Sequence, residues 1–276
     1  MIKDFQTYIS EGLFDRNQSE FGIQKTDKGI EQVYIIKTKE ELYKYIELYI
    51  EQAKKDGTYP NVDLNNIDVS ELGDDVLKDL FSDNIYMINP DISNWNIKSI
   101  PNGFFDHNKK IKEFTIPNSV TSIGESAFDG CSNLESVTIG NKVTSIGEYA
   151  FYNCSGLNSI DIPSSVTSIA WGAFRECRSL TSVTIGNSVE SIGKYAFRGC
   201  SGLKSVIIGN KVTSIGENSF ERCDSLTSIE IPNSVKSIGE FVFRGCRGLK
   251  SATISKNCSI DSNSFPENCK ITRRDD

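Results

Sequence analysis

Hydrophobic positions in the second two-thirds of the chain recur at one fixed interval. Phe105, Phe128, Phe151, Phe174, Phe197, Phe220 and Phe243 are each 23 residues apart, and so are Cys131, Cys154, Cys177, Cys200, Cys223, Cys246 and Cys269. Leucine and isoleucine columns, such as Leu134 to Leu249 and Ile123 to Ile238, keep the same spacing. The unit reads L-x-x-[VI]-x-I-[PG]-x-x-V-x-x-I-G-x-x-[AS]-F-x-x-C-x-x. One unit cannot bury its own apolar face, so a constant period of this size predicts a stack of supersecondary units.

Inside each unit the alternation Val137-Thr138-Ile139 is that of a short strand with one buried face. Pro117, Gly140, Pro163, Gly186, Gly209 or Pro232 then ends it, because proline lacks an amide hydrogen and glycine weakens pairing. A second short extended piece follows at Val143–Ile146. From Gly147 to Cys154 the inward spacing of Ala150, Phe151 and Cys154 fits about one helical turn. The glycine column of Gly124, Gly147, Gly193, Gly216 and Gly239 is interrupted by Ala170, so close packing rather than a left-handed turn selects the small residue there.

These units resemble the BspA-like subgroup of leucine-rich repeats, over residues 111 to 265. Asp91-Ile92-Ser93-Asn94-Trp95-Asn96-Ile97 is similar to the DxSxWxxxxV units of related repeats, which places a diverged first rung there, with Asn108 where later units carry cysteine. The expected fold is therefore α+β or a β-rich solenoid: a right-handed leucine-rich-repeat coil of short strands and short helical turns, about eight rungs over residues 89–276. The resemblance implies a non-enzymatic scaffold for protein–protein interaction, since BspA-like relatives often bind host matrix proteins or cells.

Residues 1–88 lack the period and read as a small α/β cap or docking domain. Thr38-Lys39-Glu40-Glu41 is a capping box before the stripe Leu42, Tyr45, Ile46, Tyr49 and Ala53, which predicts a helix over 39–55. Glu31–Ile36 reads as a strand and Ile2–Leu13 as a short helix. The stretch Tyr8–Asp15 is similar to N-termini of repeat proteins of gut bacteria and their phages. At the other end the columns drift after Asn257 and no separate cap is visible, which leaves self-association through that end open.

Net charge is −7 and unevenly placed: residues 1–88 hold 10 Lys/Arg against 18 Asp/Glu, and the remainder is close to neutral. That balance disfavours nucleic acid as a partner. Met1–Gln6 has no apolar signal core, and no 18-residue apolar run occurs. A cytoplasmic location is expected, with no membrane association and with the extracellular or virion surface as the alternative.

Candidate chemistry dissolves into the repeat. Seven of the eight cysteines belong to different rungs, so they read as buried thiols rather than as zinc ligands or disulfides. His107, the only histidine, falls at the position of Gly130 and reads as a surface residue. The serine columns repeat at every rung, which argues for hydrogen-bonding roles rather than one nucleophile. No catalytic, metal or cofactor site is expected.

Function is sought where the units differ. The exposed strand positions, such as Glu135, Thr138, Asp161, Thr184 and Glu230, are small, polar and uniform. The turn side carries Arg175, Arg178, Arg198, Arg222, Arg244 and Arg247, with Trp171, Tyr195 and Phe241 nearby. Arginine and aromatic residues dominate interface hot spots, so a basic ridge binding a protein partner is the candidate site. The readings that remain open are an intracellular phage or bacterial effector and, as the alternative, an adhesin or virion surface protein binding host protein or glycan.

Overall fold

The computed structural model describes residues 97–261 and 263–275, positions 38, 42, 92 and 95, and the backbone of three strands nearer the N-terminus. Those strands are β1 (Glu20–Thr26), β2 (Gly29–Ile35) and β3 (Ile67–Asp68); β2 pairs antiparallel with β1 and parallel with β3. The strand expected over 31–36 falls on β2. The helix expected over Ile2–Leu13 lies outside the described residues, as does the helix over 39–55 except at Leu42, which is buried and donates its N–H to the Thr38 carbonyl.

The repeats form a β-solenoid. Eight two-residue strands, Ser99–Ile100 to Ser259–Ile260, lie parallel in one sheet, one strand per rung. The main strands form a second wall, five-stranded from Glu113–Thr115 to Ser205–Ile207 and then three-stranded through Ser228–Glu230, Ser251–Ser255 and Lys270–Arg274. Pairing is in register with the repeat: Ser182 faces Ser159 and Ser205, Val183 faces Ile160 and Val206. The serines thus pair through their backbones. Threonines add side-chain bonds between rungs: Thr121, Thr144, Thr167 and Thr213 each donate the Oγ1 hydroxyl to a carbonyl 23 residues earlier, at 3.0–3.2 Å.

The core is the set of columns read from the sequence. Phe128, Phe151, Phe174, Phe197, Phe220 and Phe243 stack face to face with centroids 4.9–5.6 Å apart and interplanar angles of 3–9°. The separation follows from the strand spacing, so each ring sits at contact distance from the next. Trp95, Phe104 and Phe105 close the first rung.

The cysteine column has a reason beyond small size. Each thiol reaches back to the phenylalanine carbonyl of the preceding rung: Cys131 to Phe105, Cys154 to Phe128, Cys177 to Phe151, Cys200 to Phe174, Cys223 to Phe197 and Cys246 to Phe220, at 3.0–3.4 Å. Each of these carbonyls already accepts a backbone amide three residues on, such as Cys131 N–H at Phe128, and the thiol of the next rung adds a second donor from a side chain that is nearly apolar. All eight cysteines are free. Burial pushes the thiols of Cys131, Cys154, Cys177, Cys200 and Cys223 well up from their ordinary value, which suppresses thiolate chemistry.

The expected helical turns are absent from the described repeats, and the α+β description fails with them. Between each Ser-Ile strand and the cysteine lie two linked turns, closed by bonds such as Asp129 N–H to Ser126 O and Cys131 N–H to Phe128 O. Alternate amides point along the stack instead: Ser126, Phe128 and Gly130 donate to Glu148, Ala150 and Tyr152 of the next rung. Two columns hold left-handed backbone, one through Ser126, Tyr149, Gly172, Tyr195, Asn218 and Phe241, the other through His107, Gly130, Asn153, Glu176, Gly199, Arg222 and Gly245. A left-handed residue every fourth position breaks a helix, and the inter-rung bonds offset its cost of about 1–3 kcal/mol at non-glycine sites.

The glycine column behaves as expected. A Cβ on Gly193 would come within 2.6 Å of the Ile169 carbonyl oxygen of the preceding rung, and one on Gly147 within 2.7 Å of Gly124. Where the column carries Ala170, the amide bond to the preceding rung lengthens to 3.2 Å, against 2.8–2.9 Å at the five glycines.

The last main strand is braced by its own side chains. The last main strand follows its neighbour by 19 residues, with Lys270 opposite Ser251. Arg273 donates to the carbonyls of Ser255, Lys256 and Cys258, while Arg274 bonds Asn233 Oδ1, the Ile231 carbonyl and the Glu230 carboxylate. Two arginines thus brace the last main strand.

Candidate interaction face

The double turns hold seven of the nine sequence-nominated residues, Arg178 and Arg247 directly follow the cysteine, and together they fall in two groups rather than one basic ridge. Trp171 sits half-buried between Tyr149 and Tyr195, with ring centroids 4.4 and 5.1 Å away. Gly172 makes the space: a Cβ there would lie 3.2 Å from the Tyr149 ring. Tyr152 extends the row, 5.5 Å from Tyr149. Arg175 lies over Tyr152 at 5.5 Å and Arg198 over Tyr195 at 5.7 Å, cation–π contacts that hold both guanidinium groups against rings. Arg175 Nε is buried without a hydrogen-bond partner among the described residues. Arg178 is exposed and pairs with Glu176 at 3.2 Å.

The second group centres on Glu221, which is only 2% exposed. Its Oε2 accepts from Arg198 Nε at 2.7 Å; its Oε1 accepts from Arg244 Nε at 3.0 Å and Nη2 at 2.5 Å. One carboxylate therefore ties three successive rungs and links the two groups. Arg244 also covers Phe241 at 4.7 Å. Beside it a cleft of about 490 Å³ is lined by Glu221, Arg222, Asp224, Arg244, Gly245 and Arg247.

Sequence reasoning named nine residues here and missed Tyr149, Tyr152 and Glu221. Tyr149 shares the column of Tyr195 and Phe241, and that column was the available signal. Glu221 was indistinguishable from solvated acids such as Glu217, which pairs with Lys194 at 3.2 Å on the surface. His107 is exposed, as expected, but not isolated: its Nδ1 lies 2.5 Å from Asp106, and with Asp129 the three offer ligand atoms within 4.8 Å of one another. Burial and the Asp106 carboxylate raise the Asp129 acid above its ordinary value, opposed by His107. Among the described residues, no helix is long and apolar enough to cross a membrane.

The BspA type leucine rich repeat region matches in six copies over residues 98–189 and 167–274. The chain belongs to this family. Among solved structures it is similar to a leucine-rich repeat protein of T. pallidum, at 32% identity over 59% of this chain and 78% of that one, with a TM-score of 0.54. A leucine rich cell surface protein of Faecalibacterium prausnitzii gives 23% identity over 76% and 64% of the two chains, TM-score 0.43. A leucine-rich repeat protein of Bacteroides capillosus gives 34% identity over 36% and 78%, TM-score 0.34. No curated protein matches the chain significantly. Proteins of this repeat family are in general interaction scaffolds.

Proposed function

We propose that this chain is a non-enzymatic scaffold that binds a protein partner through the turn side of the solenoid. The observation that carries the reading is the aromatic row Tyr149–Trp171–Tyr195, flanked by Arg175 and Arg198. Its rings are half-buried and braced by neighbouring rungs, so little side-chain entropy is left to lose on binding. The strand side offers no equivalent anchor. Its exposed large apolar residues among those described, Ile207 and Ile271, stand on strands far apart and form no row.

The partner in this reading is cytoplasmic, where free thiols such as Cys258 and Cys269 stay reduced. An effector of phage or bacterial origin fits the same chemistry. The test is capture of partners from lysate of the native cell by the full chain and by its Trp171→Ala/Tyr195→Ala variant. Selective loss of a defined protein with unchanged circular dichroism supports the reading; equal capture by both refutes it.

A further inference from the structure

The turn ladder has an open end. In the column of His107, every amide donates to the next rung: His107 to Asp129, Gly130 to Tyr152, Asn153 to Arg175, Glu176 to Arg198, Gly199 to Glu221 and Arg222 to Arg244, at 2.6–2.8 Å. Gly245 is the last member, left-handed at φ 74° and exposed, and its N–H has no acceptor among the described residues. The last turn of the chain is too short to supply one, since its main strand returns after 19 residues rather than 23.

Around this donor stand three arginines. Arg222 packs its side chain beside Gly245, and a Cβ on Gly245 would meet Arg222 Cγ at 3.2 Å. Neither Arg222 nor Arg247 pairs with a carboxylate among the described residues, and both are exposed. Arg244 is held by Glu221 through Nε and Nη2, which fixes its plane and leaves Nη1 without a bond to that carboxylate. All line the same cleft of about 490 Å³.

We infer that this cleft binds an acidic segment of the protein partner, a carboxylate accepting from Gly245 N–H and from Arg222 and Arg247. The inference rests on the proposed scaffold function and names the chemistry of the partner at one part of the same face. Left-handed turns with an outward amide suit an anion, and arginine forks match carboxylate geometry. Glu221 and Asp224 in the lining favour a peptide over nucleic acid, because a continuous polyanion running through the cleft meets both carboxylates.

The experiment uses the full chain and a fluorescein-labelled short peptide of alternating Glu and Gly, followed by anisotropy. The same peptide with Gln in place of Glu and an oligothymidylate of equal length are the comparisons. The Glu peptide binds, the Gln peptide does not, and binding weakens as salt rises. Arg222→Ala/Arg247→Ala lowers affinity about tenfold or more, because two charge-assisted contacts are lost. Arg222→Lys/Arg247→Lys, which keeps the charge and loses the fork, gives an intermediate affinity. Trp171→Ala leaves peptide affinity unchanged while lowering capture of the whole partner, so the two proposals fail separately. Absence of Glu-peptide binding, indifference to the arginine variants, or tighter binding of the oligothymidylate through the same arginines overturns the inference.

Discussion

Raising the pH from 8 to 10 destabilises this protein through its cysteine column. Cys131, Cys154, Cys177, Cys200 and Cys223 are fully buried, and their thiols are pushed far up from an ordinary value near 9.0. The folded chain keeps these five protons at pH 10, whereas the unfolded chain releases most of them. A group whose pKa is raised by folding adds stability below its unfolded value and loses it as pH rises, so the loss begins near pH 9. At pH 10 each thiol accounts for about 1.4 kcal/mol, and five for about 7 kcal/mol, which is comparable to the whole stability of many domains. The assay is urea unfolding followed by circular dichroism at pH 8 and pH 10. A Cys154→Val/Cys177→Val variant isolates the thiol contribution from lysine and tyrosine titration: it is less stable at pH 8, and its loss on going to pH 10 is smaller by about 3 kcal/mol. An equal loss in both proteins refutes the reasoning.

Other outcomes follow from single contacts. Glu221→Ala leaves Arg198 and Arg244 without their shared acceptor; those side chains are 22% and 52% exposed, so the cost read by urea unfolding is about 2–3 kcal/mol rather than the 3–5 kcal/mol of a fully buried pair. Gly193→Ala drives a methyl toward the Ile169 carbonyl oxygen, 2.6 Å away, and costs about 1–3 kcal/mol, while Ala170→Gly costs less than about 1 kcal/mol or stabilises, as thermal melts of both would show. Arg273→Ala/Arg274→Ala releases the last strand from the carbonyls it covers, and light scattering reports association in the variant against a monomer in the parent.

The repeat period made the core legible because burial is dictated by spacing alone. Phe151 and Cys154 point inward whether the segment is a helix or a pair of turns, and for the same reason the pattern could not choose between them. The distinguishing signal was the column Gly130, Asn153, Gly199 and Gly245, residue types that accept left-handed backbone, diluted by Glu176 and Arg222. The close-packed glycine column was readable because Ala170 interrupts it, and its lengthened amide bond shows the same contact from the other side.

The candidate interaction face was half legible. Composition located the arginines and rings on one side, but their pairing depends on contacts between rungs. Glu221 gathers Arg198 and Arg244 across three rungs, and no local pattern distinguishes it from Glu217 or Glu240. The bracing of the last strand was not legible for a similar reason. Arg273 and Arg274 look like solvated terminal charges, yet their side chains fold back onto carbonyls up to 43 residues away in sequence.

Partner capture from native lysate by the parent chain, by Trp171→Ala/Tyr195→Ala and by the strand-side variant Thr184→Arg tests the central claim most directly. The turn-side variant loses the partner and the strand-side variant retains it if the aromatic row is the binding face. Retention by the turn-side variant with loss in Thr184→Arg would place recognition on the opposite wall and contradict the account.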